Sequence, residues 1–309
     1  MPAATATAFH SSFCFSSHKL SSSPSNSHSN SHQPNTLLAA KPKTLFHKHP
    51  LYTPLHSTLS SQVKEKILCL EIMGVDAGKA LSLNPSLHSV TLESIHSVIS
   101  FLQSKGIHQK DFAKIFGMCP KILTSDVKTD LIPVFNFLSE DLKIPDQSFR
   151  RTINKCPRLL ASSAKDQLKP ALFYLQRLGL RDLEALAYHD SVLLVSSVER
   201  TLIPKLKYLE SLGFSRSETV GMVLRCPALL TFSIENNFKP KFEYFSGEMH
   251  GKLEELKDFP QYFAFSLEKR IKPRYLETVQ SGKKVPLSLM LKTTDDEFRE
   301  LLREGQGGG

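Results

Sequence analysis

The sequence predicts an all-α protein, a helical-repeat solenoid (superhelix) of about six repeats of 33–37 residues, and three observations carry that prediction. A proline recurs at Pro85, Pro120, Pro157, Pro227 and Pro260, with Ser191 as the fourth member of the series, so successive steps are 35, 37, 34, 36 and 33 residues. Thirteen residues later a second proline follows in five of the six units, at Pro133, Pro170, Pro204, Pro240 and Pro273, with Val98 in the first. Six residues after the opening position stands Thr91, Asp126, Ser163, Ser197, Ser233 or Ser266, residue types whose side chains accept from the free N–H groups of a helix's first turn. A fixed period near 35 residues marks units that bury an apolar face only by stacking on their neighbours.

The first segment, residues 1–60, holds Lys19, Lys41, Lys43 and Lys48 and no acidic residue, the first being Glu65; taking these four charges from the formal +9 leaves +5 for the rest. An acid-free, serine-rich leader reads as an organellar transit peptide. The first arginine is Arg150, and the lack of arginine favours a chloroplast over a mitochondrion. An ordinary disordered tail has the same composition and stays open. Residues 61–84 are expected to form an N-terminal capping helix, Gln62 to Met73, stopped by Gly74. Residues 85–280 form the array, each unit a short helix such as Asp111 to Met118, a proline-led turn, and a long helix such as Asp126 to Leu138.

Glu93, Glu199, Glu235 and Glu268 suit the positive end of the long helices, and Gly106, Gly179, Gly213 and Gly247 suit their left-handed ends. The second proline falls inside the long helix, where it costs roughly 3 kcal/mol unless the helix bends, so a kink is expected. Leu159, Leu160, Leu168, Leu172, Leu175 and Leu178 supply the buried face. Residues 281–303 form a C-terminal capping helix and 304–309 a flexible tail. No stretch approaches eighteen consecutive apolar residues, so no membrane span is expected.

The recurring CPKIL, CPRLL and CPALL, the later proline, the endings YLQRLG and YLESLG, and the closing PLSLMLKTTDDEF together resemble the mTERF family over roughly residues 62–303. The resemblance implies a superhelix that lays organellar nucleic acid along a basic groove, with roles in transcription termination, transcript accumulation or intron splicing, and it implies no active site. Ser191 and Val98 depart from the pattern.

Cys119, Cys156 and Cys226 share one repeat column, 37 and 70 residues apart, unlike the close pairs of a zinc site; they read as small buried side chains. No metal, cofactor or catalytic motif is indicated, and an enzyme is not expected. Positive charge recurs at the inner proline: Lys169, Lys239 and Lys272 precede it, and Lys205, Lys241 and Arg274 come after it. Tyr174, Tyr208 and Tyr244 lie about one turn further on, either stacking on bases or packing between units. A second basic group, Lys121, Arg150, Arg151, Lys155, Arg158 and Arg225, surrounds the opening prolines. Lys269, Arg270, Lys272 and Arg274, with Lys283 and Lys284, form the densest run and the first choice for an electrostatic anchor. The leading expectation is a monomeric plastid factor that binds double-stranded DNA and regulates or terminates transcription. Alternatives are an RNA-binding factor for transcript processing or splicing, and a protein scaffold. Organellar transcription or RNA-processing proteins are the expected partners.

Overall fold

The computed structural model describes residues 60–303, so the expectations for the leader and for the glycine-rich tail lie outside the described residues. Among the described residues every regular element is helical and no strand occurs, as the period predicts.

The third unit shows how the sequence builds each repeat. A short helix, Phe149–Lys155, ends at Cys156, and Pro157 opens a 3-10 turn, Pro157–Ala161, at a position where a missing N–H leaves nothing unpaired. Leu159 and Leu160 turn inward and are buried. The Ser163 hydroxyl then accepts from the Asp166 N–H at 3.0 Å, and the same cap recurs at Thr91, Asp126, Ser197, Ser233 and Ser266. All six residues of the N-cap column therefore cap a helix.

The turn after the cap differs from the bent α-helix expected from sequence. Ala164–Leu168 is a π-helical turn, with the Leu168 N–H donating five residues back to Ser163, and the α-helix Lys169–Leu178 begins only beside Pro170. The same wide turn precedes every inner proline, at Val127–Leu131, Val198–Leu202, Ile234–Phe238 and Leu267–Ile271. In the first unit, where Val98 replaces the proline, Leu92–Ser104 is an uninterrupted α-helix. The proline thus sits where five-residue bonding hands over to four-residue bonding, so its ring displaces no ordinary α-helical hydrogen bond. Replacement of the opening proline has a matching effect, since Ser191–Leu194 is a turn of α-helix and not a 3-10 turn.

Gly106, Gly179 and Gly213 close long helices at φ 80, 105 and 109. Gly247 does not: it lies within Lys239–Gly247, and His250 takes the left-handed conformation at φ 49. A Cβ on the neighbouring Gly251 would meet the Phe245 ring at 2.2 Å, so this chain end is fixed by close packing.

Short helices pack on the short helices of the next unit, and the proline-led turns pack on one another. The result is one apolar cluster running from Leu70 to Phe298. Phe135 illustrates the coupling, with its ring 5.4 Å from Phe101 in the preceding unit and 5.2 Å from Phe149 in the following one. Ser61–Ile72 precedes the array, Ala77–Leu83 takes the short-helix place ahead of Pro85, and after the array stand two helices, Leu287–Lys292 and Asp295–Arg303, where the sequence suggested one.

Candidate functional site

The cations just after the inner proline face inward. Lys205 Nζ donates to the Leu230 carbonyl at 2.6 Å and Lys241 Nζ to the Phe263 carbonyl at 2.6 Å. Both acceptors are the third residue after the opening proline of the next unit. Lys66 makes the same reach from the first helix, to the His88 carbonyl at 2.8 Å, and Arg274 reaches the Met290 carbonyl at 2.7 Å. These side chains bind one unit to the next. Burial lowers the pKa of Lys205, and pulls Lys241 down to about 8. The sequence held the signal, because the same column carries Ile99, Val134 and Ala171 in units one to three. A column shared by apolar residues in three units and long cations in the other three is a buried one reached by flexible stems.

The run near the C-terminus is likewise used internally. Arg270 donates from Nε to the Leu291 carbonyl at 3.2 Å and from Nη1 to Asp295 at 3.1 Å, and Arg274 Nη2 meets the same Asp295 carboxylate at 2.5 Å. The Arg274 guanidinium lies 4.6 Å from the Phe298 ring centroid. Hydrogen bonding to Arg274 holds the Asp295 carboxyl below its usual range. The closing KTTDDEF segment is therefore a clasp on the last repeat. Lys269 and Lys284 remain exposed, whereas Lys283 donates to the Leu301 carbonyl.

The cations before the inner proline lie at the surface in ion pairs: Lys169 with Asp141 at 3.1 Å, Lys239 with Glu235 at 2.7 Å, and Lys272 with Glu268 at 2.6 Å. Pairs of this kind contribute only about 0–1 kcal/mol, so these ammonium groups can exchange partners. The tyrosines are half-buried between units. Tyr208 stacks on Phe238 at 5.9 Å, and Tyr244 meets Tyr275 edge-on at 6.1 Å. Tyr174 packs against the core.

Around the opening prolines, Arg150 forms a two-pronged pair with Asp111 at 2.6 and 3.0 Å, Arg151 covers the Tyr188 ring at 4.4 Å, and Arg225 donates to the Lys257 carbonyl. Lys121, Lys155 and Arg158 are exposed and make no ion pair among the described residues. Two further exposed, unpaired lysines, Lys128 and Lys165, stand in the π turns of units two and three. Sequence reasoning passed over them because it followed the prolines.

The thiols of the repeat column are poorly suited to chemistry. Burial raises the pKa of Cys119 and Cys156, and pushes Cys226 up to about 11. Cys69 Sγ lies 3.8 Å from His96 Nε2 beside an apolar groove of about 520 Å³. Burial raises this thiol as well, opposite to the shift of an activated nucleophile. No group of three or more metal-ligating side chains converges, and no helix is long and apolar enough to cross a membrane, among the described residues.

Comparison with known proteins fits this architecture. The chain is 36% identical over 106 residues to the chloroplastic transcription termination factor MTERF4 of Arabidopsis thaliana, covering 34% of this chain and 19% of that protein. It is 33% identical over 135 residues to the chloroplastic transcription termination factor MTERF2 of the same plant, covering 43% and 21%. With the chloroplastic transcription termination factor MTERF8, also of Arabidopsis thaliana, identity is 26% over 255 residues, covering 79% of this chain and 49% of the relative. The matched parts thus span from about a fifth to about half of these relatives. The mTERF family profile matches residues 43–188 and 183–299, beginning inside the segment read as a leader. With the two-proline repeat in the sequence, the helical stack in the structure and a family match across both halves of the array, the chain belongs to the mTERF family.

Proposed function

We propose that this chain is a chloroplast nucleic-acid-binding factor that acts on transcription, with double-stranded DNA as its ligand. The compartment is that of the three relatives, each named chloroplastic, and the process is that of their shared name, transcription termination factor. The observation that carries the ligand is a group of exposed cations that make no ion pair among the described residues, Lys121, Lys128, Lys155, Arg158, Lys165 and Lys269, beside the loosely paired Lys169, Lys239 and Lys272. Exposed lysine and arginine bind phosphate without further machinery and give affinity that falls with salt. A duplex is favoured over a single strand because Tyr174, Tyr208 and Tyr244 are engaged within the protein, which leaves that column without the free ring faces on which unpaired bases stack. This is a binding reading and not a catalytic one.

The test is crosslinking and sequencing of nucleic acid bound to the tagged protein in isolated chloroplasts, with DNase and RNase arms. Signal lost to DNase and kept after RNase is expected. Signal lost only to RNase would replace DNA by transcripts, and no signal in either arm would leave a protein scaffold.

A further inference from the structure

The repeat columns segregate charge along the array in a way that the net charge hides. One residue past the opening position stand Ser86, Lys121, Arg158, Val192, Ala228 and Gln261, and two past the N-cap stand Glu93, Lys128, Lys165, Glu199, Glu235 and Glu268. Units two and three carry a cation in both columns, and no other unit carries one in either. The π turn Val127–Leu131 of unit two packs on the 3-10 turn Pro157–Ala161 of unit three. Lys121, Lys128, Arg158 and Lys165 therefore belong to adjoining turns, with Lys155 two residues before Pro157, and all five are exposed.

The carboxylates beside the two π turns face the helix starts, while Lys155 has the half-buried Asp190 within electrostatic reach. Asp126 accepts from the N–H groups of Lys128 and Thr129 at 2.8 Å, Asp130 from the Asp126 N–H at 2.9 Å, and Asp166 from the Ser163 hydroxyl at 2.8 Å. In units five and six the column of Lys128 and Lys165 is held by Glu235 and Glu268, which pair with Lys239 and Lys272. A phosphate approaching those lysines meets a carboxylate as well.

Resting on the nucleic-acid reading above, we infer that units two and three form the anchoring surface for the phosphodiester backbone of a duplex, through Lys121, Lys128, Lys155, Arg158 and Lys165. The denser basic run of the last unit is a clasp for the C-terminal helices. Each phosphate neutralised at the anchor releases counterions, so the anchor controls the salt dependence of binding.

The experiment measures binding of the full chain to a mixed-sequence DNA duplex by fluorescence anisotropy between about 50 and 200 mM salt, with an RNA duplex and single strands as further arms. One variant carries Lys128→Gln and Lys165→Gln, and a second carries Lys239→Gln and Lys272→Gln, so each removes the same charge. A third, Lys128→Glu with Lys165→Glu, gives units two and three the residue that the other four units carry at that column, and circular dichroism checks its fold. The first variant is expected to lower the logarithmic salt slope by about 1.8, at about 0.9 per duplex phosphate contact, and the third to weaken binding further, whether or not the RNA duplex shares the loss. The second should change the slope by less. Wild-type affinity and slope in the first and third variants, beside a wild-type protein that binds, would overturn the inference while leaving the nucleic-acid reading intact. So would a larger loss in the second variant. No salt-dependent binding by the wild-type chain to any of the nucleic acids would overturn both.

Discussion

Replacing Lys241 by methionine should leave stability nearly unchanged at neutral pH and lower it relative to the wild type in alkali. Lys241 is 7% exposed, and its ammonium faces the Phe263 carbonyl at 2.6 Å and the Phe232 ring at 5.8 Å, with no carboxylate bonded to it. Burial takes its pKa from 10.5 to about 8, which corresponds to a penalty of roughly 3 kcal/mol for holding the charge inside at neutral pH. Methionine removes that penalty but leaves the Phe263 carbonyl without its donor, at a cost of about 1–3 kcal/mol, so the two effects nearly offset. Between pH 8 and 10.5 the unfolded chain keeps a proton that the folded chain has released, and stability therefore rises with pH in that window. From about pH 7.5 to 10 the wild type should gain roughly 2 kcal/mol on Lys241→Met. Urea unfolding followed by far-ultraviolet circular dichroism at each pH measures the difference, in which the other titrating groups cancel. A difference that stays flat across this range would refute the buried, charged joint between units five and six.

Three further outcomes rest on the packing. Pro170→Ala should convert Ala164–Leu168 from a π turn to α-helix, moving the Leu168 N–H from the Ser163 carbonyl to that of Ala164; a crystal structure of the variant that keeps the five-residue bond would show that the proline does not set the turn. Asp295→Ala should speed amide hydrogen exchange in residues 287–303, because Arg270 and Arg274 lose their shared carboxylate, and unchanged exchange there would mean that the clasp is not needed. Cys226, with its pKa pushed up to about 11 by burial, should resist iodoacetamide at about pH 8 in the folded protein and react on unfolding; labelling at equal rates in both states would contradict its placement.

Much of the fold was legible because period, cap and opening turn are local signals repeated six times. The serine, threonine and aspartate column told where each long helix begins, and the structure places a cap at every one. The π turn was not legible, since the same cap and spacing in unit one lead into plain α-helix, and the π turn accompanies the inner proline, which unit one replaces by Val98. Sequence also could not tell which lysines face water. Lys239 and Lys241 are two residues apart on one helix, yet Lys239 lies at the surface on Glu235 and Lys241 inside on the Phe263 carbonyl. A residue's direction depends on the neighbouring unit, which no window of a single repeat contains. The left-handed position at His250 was missed for a related reason: Gly247 matched the column, but it stays the last helical residue and the positive φ comes three residues later, beside Gly251, which packs against Phe245.

The central claim is that nucleic acid is held where units two and three present cations free of internal partners. Photocrosslinking the full chain to a duplex, with mass spectrometry of the nucleotide-bearing peptides, tests it most directly. The account predicts adducts in peptides spanning residues 120–130 and 155–166; adducts confined to residues 239–284 would contradict it.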